Sequence, residues 1–356
     1  MRTIAVLNQK GGVGKTTTVV NTAAALAAAG SKVVAIDLDP QAHLTIHLGL
    51  EPQAVESGSY EVLTQSAGFE EEILLVRPNL WLLPANINLV GAESELVSVV
   101  GRETILRGAI KLVEDKFDYS FIDCPPSLGL LTLNALAAAE EVLIPLQPHF
   151  LGLQGFGKLL QTIELVNKRI NPGLKVNGIL LCMFDSRASL PKEVRADIEQ
   201  FLDNARGTNC AWAQARILPV YIRRNIKLAE APGYGKTIFE YEQSCHGAED
   251  YKKVAEFIHT QFQPAPQLNI QTDAEVAEDQ NVQTLEQMKE LSAAGEAAQQ
   301  QNIPAPPDTN QRPDTDAEQN QDKPPIEIRP IPQPDSQAPS SEFTKTTANR
   351  KPAESQ

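Results

Sequence analysis

The strongest chemical signal in the chain is the run Lys10-Gly11-Gly12-Val13-Gly14-Lys15-Thr16-Thr17, which follows a short apolar stretch and opens into a long helix-forming one. Glycines admit backbone conformations closed to other residues, so consecutive N–H groups can converge on phosphate oxygens, and a helix N-terminus adds partial positive charge. In that setting Lys15 can reach the β- and γ-phosphates of a nucleotide and the Thr16 hydroxyl can ligate Mg²⁺. The pattern G-x-x-x-x-G-K-[ST] is not met, because Gln9 occupies its first glycine position. A second lysine, Lys10, opens the loop instead.

Two acidic positions complement the loop. The apolar run Val33 to Asp37 ends in Asp37-Leu38-Asp39-Pro40, and Tyr119-Ser120-Phe121-Ile122 ends in Asp123. Carboxylates at the C-terminal ends of strands in an open α/β sheet face the ligand crevice, so Asp37 and Asp123 are expected near a metal, Asp123 as a Mg²⁺ carboxylate acting through water. Strands also end in Asp for turn reasons, and either signal alone is weak. The loop and the aspartates together read as a nucleotide site. The four cysteines, Cys124, Cys182, Cys210 and Cys245, are scattered without C-x-x-C spacing. That argues against a disulfide framework, a zinc site or an iron–sulfur site, and for buried reduced thiols.

These residues must be held by alternating strands and helices. Thr3 to Leu7, Val33 to Asp37, Tyr119 to Asp123, Glu141 to Pro145 and Val176 to Cys182 read as buried strands. Helical patterns cover Lys15 to Ala29, Arg102 to Glu114, Leu128 to Ala138, Leu153 to Asn167 and Glu249 to Phe262. Ile73 to Val76 and Leu80 to Leu83 form a hairpin or edge pair around Arg77-Pro78-Asn79. The alternation predicts a parallel sheet with crossover helices.

Composition divides the 356 residues near Phe262. Residues 263–356 hold 13 of the 25 prolines, 15 glutamines and one aromatic, Phe343, and carry a net charge of −9. Such a segment cannot bury a core, and we expect a disordered Pro/Gln-rich acidic tail, with a short amphipathic helix at Val282, Leu285, Met288 and Leu291 as the lesser reading. Residues 1–262 carry the remaining −5 and suffice for one α/β domain. No apolar run approaches the length of a membrane span, and no signal peptide precedes the first strand, so a cytoplasmic protein is expected.

The sequence resembles the ParA/Soj-type partition ATPases, in the deviant Walker A group of P-loop proteins that also holds MinD. The resemblance covers residues 1 to about 260 and rests on KGGVGKTT, on DLDPQ at 37–41, FIDCPPSLG at 121–129, MFDSR at 183–187 and IRRNIKLAEAPGYGK at 222–236. It implies a mostly parallel sheet flanked by helices on both faces. It also implies an ATP-sandwich homodimer in which Lys10 crosses to the partner's phosphates, Lys15 and Thr16 bind phosphate and Mg²⁺, Thr17 also contacts phosphate, Asp39 positions the attacking water and Asp123 supports the metal. Several relatives fit less well. The acidic tail replaces the basic amphipathic membrane helix of a MinD-like protein, cluster cysteines are missing, and no tyrosine follows Tyr251.

Net acidity makes DNA binding a local question. From Ala215 to Lys227 the chain carries Arg216, Arg223, Arg224 and Lys227 without an acidic residue, a possible phosphate-binding strip. The resemblance adds Arg187 and places it with Arg224 on a face for non-specific DNA; Lys168, Arg169 and Lys192 are the next candidates. Arg223 departs from the family, where proline is frequent. The expected function is DNA segregation on the nucleoid with a ParB-like centromere-binding partner. The alternative is positioning of a protein cargo, such as a chemoreceptor cluster or a secretion or cell-wall assembly, with the tail as cargo adaptor.

Overall fold

The computed structural model describes residues 1–149 and 155–261. The expected tail and its amphipathic stretch lie outside the described residues. Among the described residues nine strands form the sheet: β1 (Arg2–Val6), β2 (Val33–Asp37), β3 (Leu74–Arg77), β4 (Leu80–Leu83), β5 (Tyr119–Asp123), β6 (Glu141–Leu146), β7 (Lys175–Phe184), β8 (Arg216–Ile217) and β9 (Ile222–Arg223). Their order is β3-β4-β2-β5-β1-β6-β7-β8, with β9 also paired to β7. Every pairing is parallel except β3 with β4, which is the hairpin expected around Arg77-Pro78-Asn79.

Alternation along each strand divides the core into two faces. Ala5, Val34, Ile36, Ile122 and Val142 pack with Leu131, Leu159, Ile163 and Ile198 from the helices Leu130–Ala138, Phe156–Arg169 and Leu190–Asn204. Ile4, Val6, Val33, Ala35 and Phe121 pack on the other face, against Val19, Val20 and Ala23 of α1 (Lys15–Ala28) and Tyr251, Val254 and Ala255 of the helix His246–Gln261. The expected architecture is therefore present, with helices on both faces. The connection from β1 to β2 runs over the second face and that from β5 to β6 over the first, so the crossovers diverge around β1. A crevice opens at the C-terminal ends of the strands at such a point.

Boundaries differ from expectation where local chemistry overrides propensity. Arg102 to Glu114 is a 3₁₀ turn, Arg102–Thr104, followed by the shorter helix Ile105–Lys111. The helix expected from Leu128 starts at Leu130, after Pro125 and Pro126, and the last helix starts at His246 rather than Glu249. The expected start of another helix, at Leu153, lies outside the described residues. The helix Leu190–Asn204 was not anticipated, although Ser189-Leu190-Pro191 and the spacing of Val194, Ile198, Phe201 and Leu202 encode its start and its buried face.

Candidate nucleotide site

The loop after β1 delivers bare backbone amides to the start of α1. Gly14 caps the helix in the left-handed region at φ 96°, no side chain caps the first turn, and no acidic residue lies in it. Gly12 is also left-handed, at φ 73°. A Cβ added at Gly11 or Gly12 would meet nothing within 4 Å, so this stretch of backbone stands open to an approaching anion. Val13, between Gly12 and Gly14, is buried and anchors the loop. Lys15 is nearly buried and directs Nζ toward the Lys10 carbonyl at 3.4 Å, back across the loop it serves. The loop lines a cleft of about 880 Å³ together with Asp39, Cys182, Met183 and Arg224.

Thr16 and Asp123 meet at the mouth of the loop. The Thr16 hydroxyl donates to Asp123 Oδ2 at 2.6 Å, while Asp123 Oδ1 is buried without a hydrogen-bond partner. Burial and the facing Asp37 push the Asp123 carboxyl well above its usual range. A buried carboxylate oxygen with an unmet acceptor, beside a hydroxyl and at the foot of a phosphate loop, fits a divalent cation bound through one oxygen pair, phosphate and water. Mg²⁺ is bound in that way rather than in an all-protein cage.

Asp37 is placed differently from the expectation that put it with the metal. Its Oδ1 accepts the Asp39 amide at 3.1 Å, and its Oδ2 accepts both the amide and the hydroxyl of Thr45 at 2.9 and 2.8 Å. Both oxygens are thus engaged in shaping the loop into α2 (His43–His47), and burial raises the carboxyl to about 7. Asp37 is a scaffold for Asp39. The Asp39 carboxylate, nearly buried, accepts the Gln41 amide at 3.0 Å and lines the cleft. Sequence reasoning missed Thr45, because a threonine eight residues beyond Asp37 carries no periodic signal.

Behind α2, two loops are locked together. Gly49 and Gly235, at φ 91° and 62°, approach so closely that a Cβ on Gly235 would stand 2.7 Å from Gly49 Cα. Arg77 spans both, donating to the carbonyls of Leu48 at 3.0 Å and Gly235 at 2.9 Å, and pairs with Glu240. His47 is buried beside them, and desolvation followed by the Arg77 charge lowers it to about 4. Met183 was also missed as a cleft residue. It adopts φ 55° at a register shift between β7 and β9, and that backbone choice is invisible in sequence.

The basic strip is only partly available. The Arg223 guanidinium is clamped by Asp250, at 2.5 Å, and by Glu249, at 2.7 Å, both from the last helix. Lys227 pairs with Glu230 at 2.9 Å and lies over the Tyr241 ring, and Arg216 lies over Phe257. The strip has no acid of its own, but Glu249 and Asp250 come from the last helix and Glu230 stands three residues after Lys227. Arg224 is exposed and faces the cleft, and Arg187 is 91 % exposed with Asp185 at 3.2 Å. Both follow the paired strand ends Phe184 and Arg223, Arg224 directly and Arg187 three residues on. Lys168 and Arg169 end a helix that leads into the start of β7, which puts them at the opposite end of the sheet. Cys124, Cys182 and Cys210 are buried thiols as expected, whereas Cys245 is half-buried.

The comparisons with known proteins agree with the cleft. The profile of a family described as an AAA domain matches residues 1–176. The sporulation initiation inhibitor protein Soj of Bacillus subtilis (strain 168) is 42 % identical over 253 residues, spanning 71 % of this chain and 96 % of that protein. The chain belongs to the ParA/Soj family of chromosome-partitioning ATPases. Within this family, the chromosome partitioning protein ParA of Myxococcus xanthus (strain DK1622) is 43 % identical over 254 residues, or 70 % of this chain and 85 % of the relative. Among solved structures, a cobyrinic acid a,c-diamide synthase from Mycobacterium smegmatis with bound ATP analogue and magnesium aligns with a TM-score of 0.62 at 35 % identity, covering 76 % of this chain and all of the other. No helix among the described residues of this ParA/Soj family member is long and apolar enough to cross a membrane.

Proposed function

We propose that this chain is a Mg²⁺-dependent ATPase that dimerises around ATP, binds DNA without sequence preference on the nucleoid, and drives chromosome or plasmid segregation with a ParB-like partner. The observation that carries the reading is the pairing of a bare helix N-terminus with two lysines, of which Lys15 folds back over its own loop while Lys10 rests its ammonium against His149. Phosphoryl transfer needs little covalent help from a protein. It needs positioning and positive charge at the γ-phosphate.

The residues divide that work. The amides from Gly11 to Thr17 and the Lys15 ammonium hold the phosphates, and Val13 keeps the loop seated. Thr16 and Asp123 would hold Mg²⁺, which when bound would supply positive charge against the phosphates. Asp39, fixed by Asp37 through the 3.1 Å amide contact, orients the attacking water. Lys10 is free of its own phosphate pocket and serves the partner subunit, which makes turnover depend on dimerisation. Arg224, beside the cleft, and Arg187 present positive charge to DNA.

Sizing chromatography tests the reading. Wild type is expected to be monomeric without nucleotide and to dimerise transiently with ATP and Mg²⁺. Asp39→Ala should accumulate as an ATP-bound dimer, because water positioning is lost while the phosphate ligands remain. Lys15→Ala should lose nucleotide affinity. An Asp39→Ala protein that stays monomeric with ATP while wild type dimerises contradicts the role given to Asp39.

A further inference from the structure

Lys10 is not loose in solvent. Its Nζ lies 2.9 Å from His149 Nε2, and the Gln147 carbonyl oxygen lies 3.0 Å from that same ring nitrogen. An ammonium only donates, so the Lys10 contact is favourable when Nε2 carries a lone pair, on a neutral ring protonated at Nδ1. An amide oxygen only accepts, so the Gln147 contact is favourable when Nε2 carries a hydrogen. One nitrogen cannot satisfy both. The two arrangements exclude each other and differ by the proton on Nε2.

Hydrogen bonds tie the described backbone on either side of this pair. The Lys10 amide donates to Asn8 Oδ1 at 3.0 Å, and Asn8 Nδ2 donates to the Pro145 carbonyl at 2.8 Å. The His149 amide donates to the Gln147 carbonyl at 2.9 Å. We infer that His149 is a positioning residue for Lys10: its neutral ring holds the ammonium within its own subunit, and a proton on Nε2 transfers the ring to Gln147 and releases Lys10 toward a partner subunit. The inference rests on the proposed action of Lys10 across the dimer.

Among the described residues, Lys10 is the charged group that acts on the ring, and with burial it lowers the His149 titration below the usual histidine range. Lys15 is the next charge in the loop and is turned to the Lys10 carbonyl. Residues 150–154, Phe-Leu-Gly-Leu-Gln, add none. Once Lys10 leaves, the ring loses a repelling neighbour and binds a proton more readily. Linkage makes the effect reciprocal: acidification favours the released lysine, and engagement of Lys10 in trans favours protonation.

Two measurements test this. The first follows the His149 ring by NMR across a pH titration of the nucleotide-free full chain. Lys10→Met should move the His149 midpoint up, and Gln147→Leu should move it down by removing the acceptor of the protonated form. A midpoint unchanged in both variants overturns the latch, whatever the protein does with nucleotide. The second compares dimerisation with a non-hydrolysable ATP analogue and Mg²⁺ at about pH 6 and about pH 8, the range in which histidine titrates. Wild type should dimerise at least about threefold more tightly at the lower pH, and His149→Phe should reduce that ratio to about one. An equal pH ratio in the two proteins overturns the release step. Failure of either protein to dimerise at any pH would instead count against the dimer reading, and the NMR titration would still decide the latch.

Discussion

Thr16 Oγ1 and Asp123 Oδ2 are 2.6 Å apart, joining the first turn of α1 to the end of β5 across two adjacent strands. The bond holds the proposed metal position before any cation arrives, because the hydroxyl and the carboxylate already converge. Asp123→Asn keeps the shape and removes the charge. Mg²⁺-dependent ATP hydrolysis should fall by about 10²-fold or more, with a smaller loss of nucleotide binding. Phosphate release measured across a Mg²⁺ titration checks this, and a wild-type Mg²⁺ dependence would exclude the role.

Arg223 and Arg224 are neighbours with opposite expected phenotypes. Arg223→Ala strands Asp250, which is 5 % exposed, and should destabilise the fold by about 1–3 kcal/mol in chemical denaturation. Arg224→Glu should leave stability and ATP-dependent dimerisation unchanged while abolishing retention on non-specific duplex. Neutralising it should lower the slope of log K against log salt by about 0.9 for each lost phosphate contact. Equal salt titrations for wild type and Arg224→Glu would move the DNA face elsewhere, with Lys192, at the cleft end of its helix, as the next candidate.

Acid should weaken the fold through His47. Its native titration, near 4, lies below the 6.5 of an unperturbed histidine, so between those values the unfolded chain binds more protons than the folded one. Stability is then complete above about 6.5 and is lost as pH falls toward 4, by at most about 3 kcal/mol from this group. Asp37, raised to about 7, acts with the opposite sign, so a wild-type profile alone mixes the two. Denaturation of wild type and His47→Gln at both ends of that range isolates the histidine: the variant should lose less stability on acidification.

Ending the chain after residue 262 should preserve folding and ATP hydrolysis. The helix His246–Gln261 packs Tyr251, Val254, Ala255 and Ile258 against the α1 face and completes the second core. Thermal melting and turnover of residues 1–262 beside the full chain decide this, and a large drop in melting temperature would show that residues 263–356 contribute to the core.

The sheet, its hairpin and the phosphate loop were legible because each has a local signal: β-branched runs, a Pro-Asn turn, glycines before a lysine. The family motifs added the order of the site. What stayed hidden was tertiary. Arg223 reads as a free cation until Glu249 and Asp250 are folded against it, and Asp37 reads as a metal ligand until Thr45 takes its oxygen. Met183 gives no sequence sign of its left-handed backbone. Lys10 shows its type in sequence but not its host, His149, which lies 139 residues away.

The contact between Gly49 and Gly235 has a mechanical side. Two loops that touch backbone to backbone at Gly49 and Gly235 and are riveted by Arg77 resist sliding past one another, since a shift of either strains the contact and both arginine hydrogen bonds. A displacement of the segment that follows α2 is therefore passed to residues 231–237, of which Pro232 lines the cleft. Substituting either glycine would act as a wedge, spreading both loops while every phosphate-binding group remained in place.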